Sequence, residues 1–177
     1  PGHTTGLPVM FKFFTPSLPA TSLFTTVAVA DTVKITFLGV GDIYSFEGGK
    51  TRGGMARLNA VARAEKAANP NTIYVMDGDM LSPSLLSGFD KGENMILLSN
   101  VVPYDLAVPG NHEYDAGPEN FSNKIKLSKF PWSAINITTA DGKVPEGLGG
   151  VVMKAVSGVK VARIPADDDE KQTESTP

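Results

Sequence analysis

The stretch that most narrows what this chain can become is Val108-Pro109-Gly110-Asn111-His112-Glu113-Tyr114-Asp115, placed directly after the apolar run Leu106–Val108. An amide, an imidazole and two carboxylates crowd the residues just past what reads as a short buried strand, where open α/β sheets carry their chemistry. Two further acids stand in the same relation to upstream apolar runs: Asp42 follows residues 35–40, and Asp79 follows residues 72–76. If the three runs are neighbouring parallel strands, Asp42, Asp79 and Asn111 come together at one sheet edge, with His112 beside them. Oxygen donors gathered around a histidine are the donor set of a hydrolytic metal centre.

The rest of the chain supplies the scaffold such an edge needs. Residues 34–40 are short, apolar and β-branched, which predicts a buried strand. Asp42, Ile43 and Tyr44 end it, and residues 45–52, with Gly48-Gly49, form a loop. From Gly53-Gly54 the period turns helical: Met55, Leu58, Val61 and Ala62 fall on one face, and Arg57, Arg63, Glu65 and Lys66 on the wet side. Asn69-Pro70-Asn71 stops that helix, and residues 72–76 make the next strand, completing a crossover unit with both acidic turns at one edge. Residues 80–86 read as a loop entering a short helix. A further helix over 93–100 buries Met95, Ile96, Leu97 and Leu98, and Gly117-Pro118 opens one running to about Leu127. A fourth strand is expected over 133–137, a turn at Asp141-Gly142, and a hairpin from 151–156 and 159–164 around Ser157-Gly158.

Composition sets the outer limits. The chain has 177 residues, 41% hydrophobic and 20% charged, enough for one domain with a proper core. Its net charge of −3 is concentrated in the tail, where Asp167, Asp168, Asp169, Glu170 and Glu174 outnumber Lys171, so the remainder is near neutral and carries no footprint for a nucleic-acid polymer. With no cysteine, any metal is held by oxygen and nitrogen. Residues 1–30 read as a leader: a short start with Lys12, an uncharged stretch, and Ala28-Val29-Ala30 before Asp31 as a small-x-small cleavage site. Pro16 and Pro19 make it too polar for a stable membrane span. A secreted, periplasmic or cell-surface location is the expectation, with residues 31–164 as the folded part and 165–177 as a disordered acidic tail. Asn120-Phe121-Ser122 and Asn136-Ile137-Thr138 fit the glycosylation sequon.

Taken in order, Gly41-Asp42-Ile43-Tyr44, Gly53-Gly54-Met55-Ala56-Arg57-Leu58, Asp77-Gly78-Asp79 and Gly110-Asn111-His112-Glu113-Tyr114-Asp115 resemble the signature blocks of the calcineurin-like metallophosphoesterases, in the 5′-nucleotidase branch. Residues 133–137 resemble that branch's next strand. The resemblance covers roughly residues 33–164 and implies an α/β (α+β) fold, a four-layer β-sandwich flanked by helices, of which the chain holds the N-terminal portion. It also implies two divalent cations (Zn, Mn, Mg or Ca) and a phosphate-ester or nucleotide substrate. Carried over residue by residue, Asp42 binds the first metal, Asp79 bridges both and Asn111 binds the second. His112 contacts the phosphate or leaving oxygen, oriented by Asp115. Asp115 is equally a natural helix cap before Gly117; Glu113 is expected to make structural hydrogen bonds. Arg57 either approaches the phosphate or forms a surface pair, and Asn136 is a second substrate-side candidate.

Two departures bear on activity. The family's first block reads Asp-x-His, whereas here Tyr44 takes the third place, a poor ligand unless a metal deprotonates it. The family also completes its metal sites with later histidines, and this chain contains only His3 and His112. The sequence therefore predicts a metal-dependent phosphoesterase whose short form is weak or inactive. Its alternatives are a non-catalytic secreted binding module or a truncated reading of a longer gene.

Overall fold

The computed structural model describes residues 32–166. Strand β1 (Thr36–Val40) is followed by helix α1 (Met55–Ala68) and strand β2 (Thr72–Asp77), and β1 and β2 pair in parallel with Val40 opposite Met76. Helices α2 (Ser87–Asp90) and α3 (Glu93–Ser99) lead to β3 (Leu106–Val108), which pairs in parallel with β2 so that Asp77 faces Val108. After α4 (Pro118–Leu127), the two-residue strands β4 (Trp132–Ser133) and β5 (Leu148–Gly149) complete a five-stranded parallel sheet in the order β1-β2-β3-β4-β5. This register brings the carboxyl ends of β1, β2 and β3 level, and the loops after them emerge on the same sheet edge.

The second sheet is the antiparallel hairpin of β6 (Val152–Val156) and β7 (Val159–Arg163). Its turn residues Ser157 and Gly158 have φ of 45° and 81°, the left-handed pair that a two-residue hairpin matching the strand twist demands. The core between the parallel sheet and its helices is aromatic at one end, where Phe121 stacks edge-on to Trp132 and Tyr104 edge-on to Phe130.

Several expectations need correction. The predicted fourth strand over 133–137 shrinks to Trp132–Ser133, because Ala134 and Ile135 donate their amides away from β3, to the carbonyls of Gly149 and Pro165. A strand at Leu148–Gly149 replaces predicted loop, since two residues carry no period to read, whereas the short helix expected after the 80–86 loop lies at Ser87–Asp90. In α1 the buried stripe is Met55, Asn59 and Ala62, while Val61 is half exposed, because the Asn59 amide enters the core to donate to Leu98 O at 3.0 Å. In α3, Met95 and Ile96 are buried as expected, but Leu97 faces out and Ser99 turns in. The leader lies outside the described residues. So does the tail, apart from Ala166 and from Pro165, which is buried and accepts from Ile135. Among the described residues no helix is long and apolar enough to cross a membrane.

Asp105, just ahead of β3, locks the opposite end of the sheet. It accepts the Tyr74 amide at 2.9 Å and Lys154 Nζ at 2.5 Å, with Lys66 Nζ at 3.4 Å, and so joins the hairpin and α1 to the strand ends. Burial raises the Asp105 pKa, but the bonds from Lys154 and Tyr74 and the charges of both lysines outweigh it and hold the carboxyl below its usual value. A carboxyl lowered in the folded state stabilises above its unfolded pKa, and that contribution disappears as pH falls through the folded value. Asp105→Asn is therefore expected to cost about 2 kcal/mol at neutral pH, discounted for the partly exposed lysines. The difference from the parent should shrink below about pH 4. Thermal midpoints measured from pH 7 to pH 3 check this; parallel curves would contradict it.

Candidate active site

Each loop at the carboxyl edge is forced into shape by its backbone. Asp42 and Asp79 both adopt positive φ, 55° and 61°, in a region where Asp and Asn are the tolerated side chains after Gly. Two such aspartates at equivalent strand ends are strain kept at a site rather than relaxed away. The Asp42 amide donates to Gly78 O at 3.1 Å, which ties the first loop to the second. Gly78, at φ 92°, lies so close to the third loop that a Cβ there would stand 3.1 Å from Gly110 Cα.

Glu113 binds the second and third loops together. It is 1% exposed, and its two oxygens take four backbone amides: Met80 at 2.7 Å and Leu81 at 3.2 Å on Oε1, Asp79 at 2.9 Å and Gly110 at 2.5 Å on Oε2. Burial, with the charge of Asp79, holds this carboxyl above its usual pKa against the opposing bonds from the Met80, Gly110 and Asp79 amides; with every approach occupied by an N–H, the ionised, acceptor-only form is the one whose hydrogen bonds fit. The sequence expectation of structural hydrogen bonds from Glu113 thus takes a definite form.

The candidate groups sit on this frame. Asp79 is buried, and its Oδ1 accepts the His112 amide at 3.1 Å. Asn111 opens the single 3₁₀ turn Asn111–Glu113 that carries all three motif residues. His112 Nδ1 lies 2.8 Å from Asp115 Oδ2, and the Tyr44 ring stands edge-on to the imidazole with centroids 6.0 Å apart. Partial burial lowers the His112 pKa, but the bond and charge of Asp115, with the charges of Asp79 and Glu113, outweigh it and hold the imidazole above its usual value. Asp42, Tyr44, Asp79, Asn111, His112 and Asp115 therefore belong to three loops that are bonded to one another. Asp115 caps no helix: α4 begins after Gly117 without a side-chain cap.

Arg57 stands apart from this cluster in what it touches. The Arg57 guanidinium is spent on carbonyls of its own loop, Gly49 at 2.6 Å, Lys50 at 3.3 Å and Gly53 at 3.4 Å. Asn136 lies in the bend after β4, partly exposed. A residue that the motif reading passed over is Ser82, whose hydroxyl meets Asp115 Oδ2 at 2.5 Å. The available signal was its place three residues after Asp79, on the same loop.

Two carboxylates, an amide and an imidazole suit part of the shell of a divalent cation that takes oxygen and nitrogen donors. They do not make two closed sites: among the described residues no group of three or more His, Cys, Asp or Glu side chains converges.

Several known proteins resemble this chain in sequence or in fold. Human 5′-nucleotidase is 28% identical over 152 residues, covering 76% of this chain and 26% of that protein. The trifunctional nucleotide phosphoesterase YfkN of Bacillus subtilis is 25% identical over 146 residues, covering 71% of this chain and 10% of its own length. The chain thus spans about a quarter or less of these relatives. Among solved structures, NAD nucleotidase from Haemophilus influenzae superposes with a TM-score of 0.72 at 23% identity over 80% of this chain and 27% of that one. The 5′-nucleotidase precursor of Thermus thermophilus gives 0.71 at 20% over 78% and 29%. Those two show the shared fold, a parallel sheet flanked by helices that corresponds to one part of each larger protein. The sequence itself matches the family described as calcineurin-like phosphoesterase across residues 35–171, and the chain belongs to that family.

Proposed function

We propose that the chain is the N-terminal part of a metal-dependent phosphoesterase of the 5′-nucleotidase type, acting on phosphate esters of nucleotides. The observation that supports it most is the double tie of His112, by its amide to Asp79 and by its ring to Asp115. That arrangement couples a prospective metal ligand to an oriented imidazole within one 3₁₀ turn. Asp42, Asp79 and Asn111 would hold a divalent cation, which when bound supplies charge neutralisation for the phosphate and an acidified water. Asp115 accepts from Nδ1 and leaves Nε2 as the nitrogen that donates to a phosphoryl or leaving oxygen, where charge develops in the transition state. The raised pKa of His112 favours the protonated, donating form at the acid side of neutrality. Tyr44 stands edge-on to the imidazole. An exported location accords with the leader-like residues 10–30, and a nucleotide substrate accords with the names of the relatives.

A second reading, a non-catalytic binding module, draws on the incomplete donor set noted above. The full chain incubated with Mn²⁺, Zn²⁺ or Mg²⁺ separates the two through release of phosphate from AMP, of UMP and glucose 1-phosphate from UDP-glucose, and of nitrophenol from bis-p-nitrophenyl phosphate. The enzyme reading expects metal-stimulated turnover that His112→Ala lowers about 100-fold or more. Turnover insensitive to that substitution, or none with any metal, favours the module.

A further inference from the structure

The loop after Asp79 reaches across to the histidine through one side chain. Ser82 Oγ stands 2.5 Å from Asp115 Oδ2 and 2.9 Å from the carbonyl oxygen of His112. His112 Nδ1 meets the same Oδ2 at 2.8 Å. Both neighbours of the hydroxyl are acceptors, so its single proton is donated, and the shorter, charge-assisted contact to the carboxylate is the stronger. One oxygen of Asp115 therefore receives two donors from two different loops. Rotation about its Cβ–Cγ bond breaks both.

This second donor holds a carboxylate that solvent can reach. The Asp115 side chain is 38% exposed and borders a cleft lined by Ser84, Ser87, Lys91 and Asn120, from which water competes for its oxygens. Ser82 itself is held firmly, because the amide of the preceding Leu81 is bonded to the buried Glu113. A fixed hydroxyl on a fixed loop thus replaces an exchanging water at a carboxylate that must stay aligned.

We propose that Ser82 is a positioning residue: it orients the Asp115 carboxylate, which in turn keeps the His112 proton on Nδ1 and presents Nε2 to the substrate. Its effect on turnover rests on the phosphoesterase reading; its effect on the imidazole does not.

The test exploits the scarcity of histidine. With only His3 and His112 in the chain, ¹⁵N-labelled protein in a His3→Gln background shows a single imidazole, whose nitrogen shifts report its tautomer directly. The parent should be held in the Nδ1–H form when neutral, and Ser82→Ala should raise the share of the Nε2–H form about tenfold. Ser82→Thr should keep the parent spectrum, because the hydroxyl is retained, and Ser82→Cys, a weak donor, should fall between. If Ser82→Ala does not fold, the Cys and Thr variants decide the matter. A variant without the hydroxyl whose tautomer matches the parent overturns the proposal. In the metal-supplemented assay, Ser82→Ala should lower kcat roughly 10- to 100-fold with KM little changed, and Ser82→Thr should restore it. A parent that releases no phosphate defeats the phosphoesterase reading, while the imidazole spectra still judge Ser82 on their own.

Discussion

Replacing Glu113 by Ala is expected to remove about 3–5 kcal/mol of stability, the cost of leaving buried polar groups unmatched, out of a total that for a domain of this size is roughly 5–15 kcal/mol. Four amides, from Asp79, Met80, Leu81 and Gly110, lose their acceptor at once, in a place that is 1% exposed and closed to water. Glu113→Gln is the sharper probe. Each carboxylate oxygen takes two N–H donors, so whichever end carries the new NH₂ group turns donors on donors, and roughly 2–3 kcal/mol should still be lost although the shape is kept. Urea denaturation of the three proteins orders them parent, Gln, Ala; a Gln variant as stable as the parent would falsify the idea that the ionised acceptor is what matters. The same loss should loosen Asp79 before the domain unfolds. Its amide is one of the four, and amide exchange at Met80 and Leu81 should accelerate first.

The scaffold was legible in the sequence where the chain obeys one rule at a time. The runs that became β1, β2 and β3 are short and apolar with polar ends, and the acids just past them do lie on loops of one sheet edge. Reading failed where a tertiary partner overrides local pattern. Asn59 is buried and Val61 exposed because of a single carbonyl, that of Leu98, 39 positions away. Strands of two residues, such as Leu148–Gly149, exist only because Trp132 and Ser133 lie beside them. At the site, residue types announced the acids, the amide and the imidazole carried on neighbouring loops, but nothing local marks Ser82 as a partner of Asp115, since that bond spans 33 positions. Arg57 shows the converse. Its charge and place left a phosphate contact and a surface pair both open, and its guanidinium is bonded to three carbonyls of its own loop.

Gly110→Ala is expected to be damaging as well, though less so than the loss of Glu113, and for a reason independent of hydrogen-bond counting. The backbone of Gly110, at φ −106° and ψ −169°, is one that any residue adopts, so conformational freedom is not the reason for glycine here. The reason is space. A methyl group at this position would collide with Asp79 Oδ1 and stand 2.9 Å from the Asp79 amide nitrogen. The carboxylate oxygen is bonded to the His112 amide, and the nitrogen is bonded to Glu113. Neither atom has anywhere to go, so overpacking should cost about 1–3 kcal/mol and displace Asp79 from its place beside the His112 turn. Removing the oxygen with Asp79→Ala in the Gly110→Ala background should recover only part of that cost, because the backbone contact persists. Gly39→Ala, in β1 with open space where its Cβ would lie and an ordinary φ, supplies the matched control and should change stability by less than about 1 kcal/mol. Equal midpoints for Gly110→Ala and Gly39→Ala would mean that the second and third loops are not in the tight contact on which the candidate site depends.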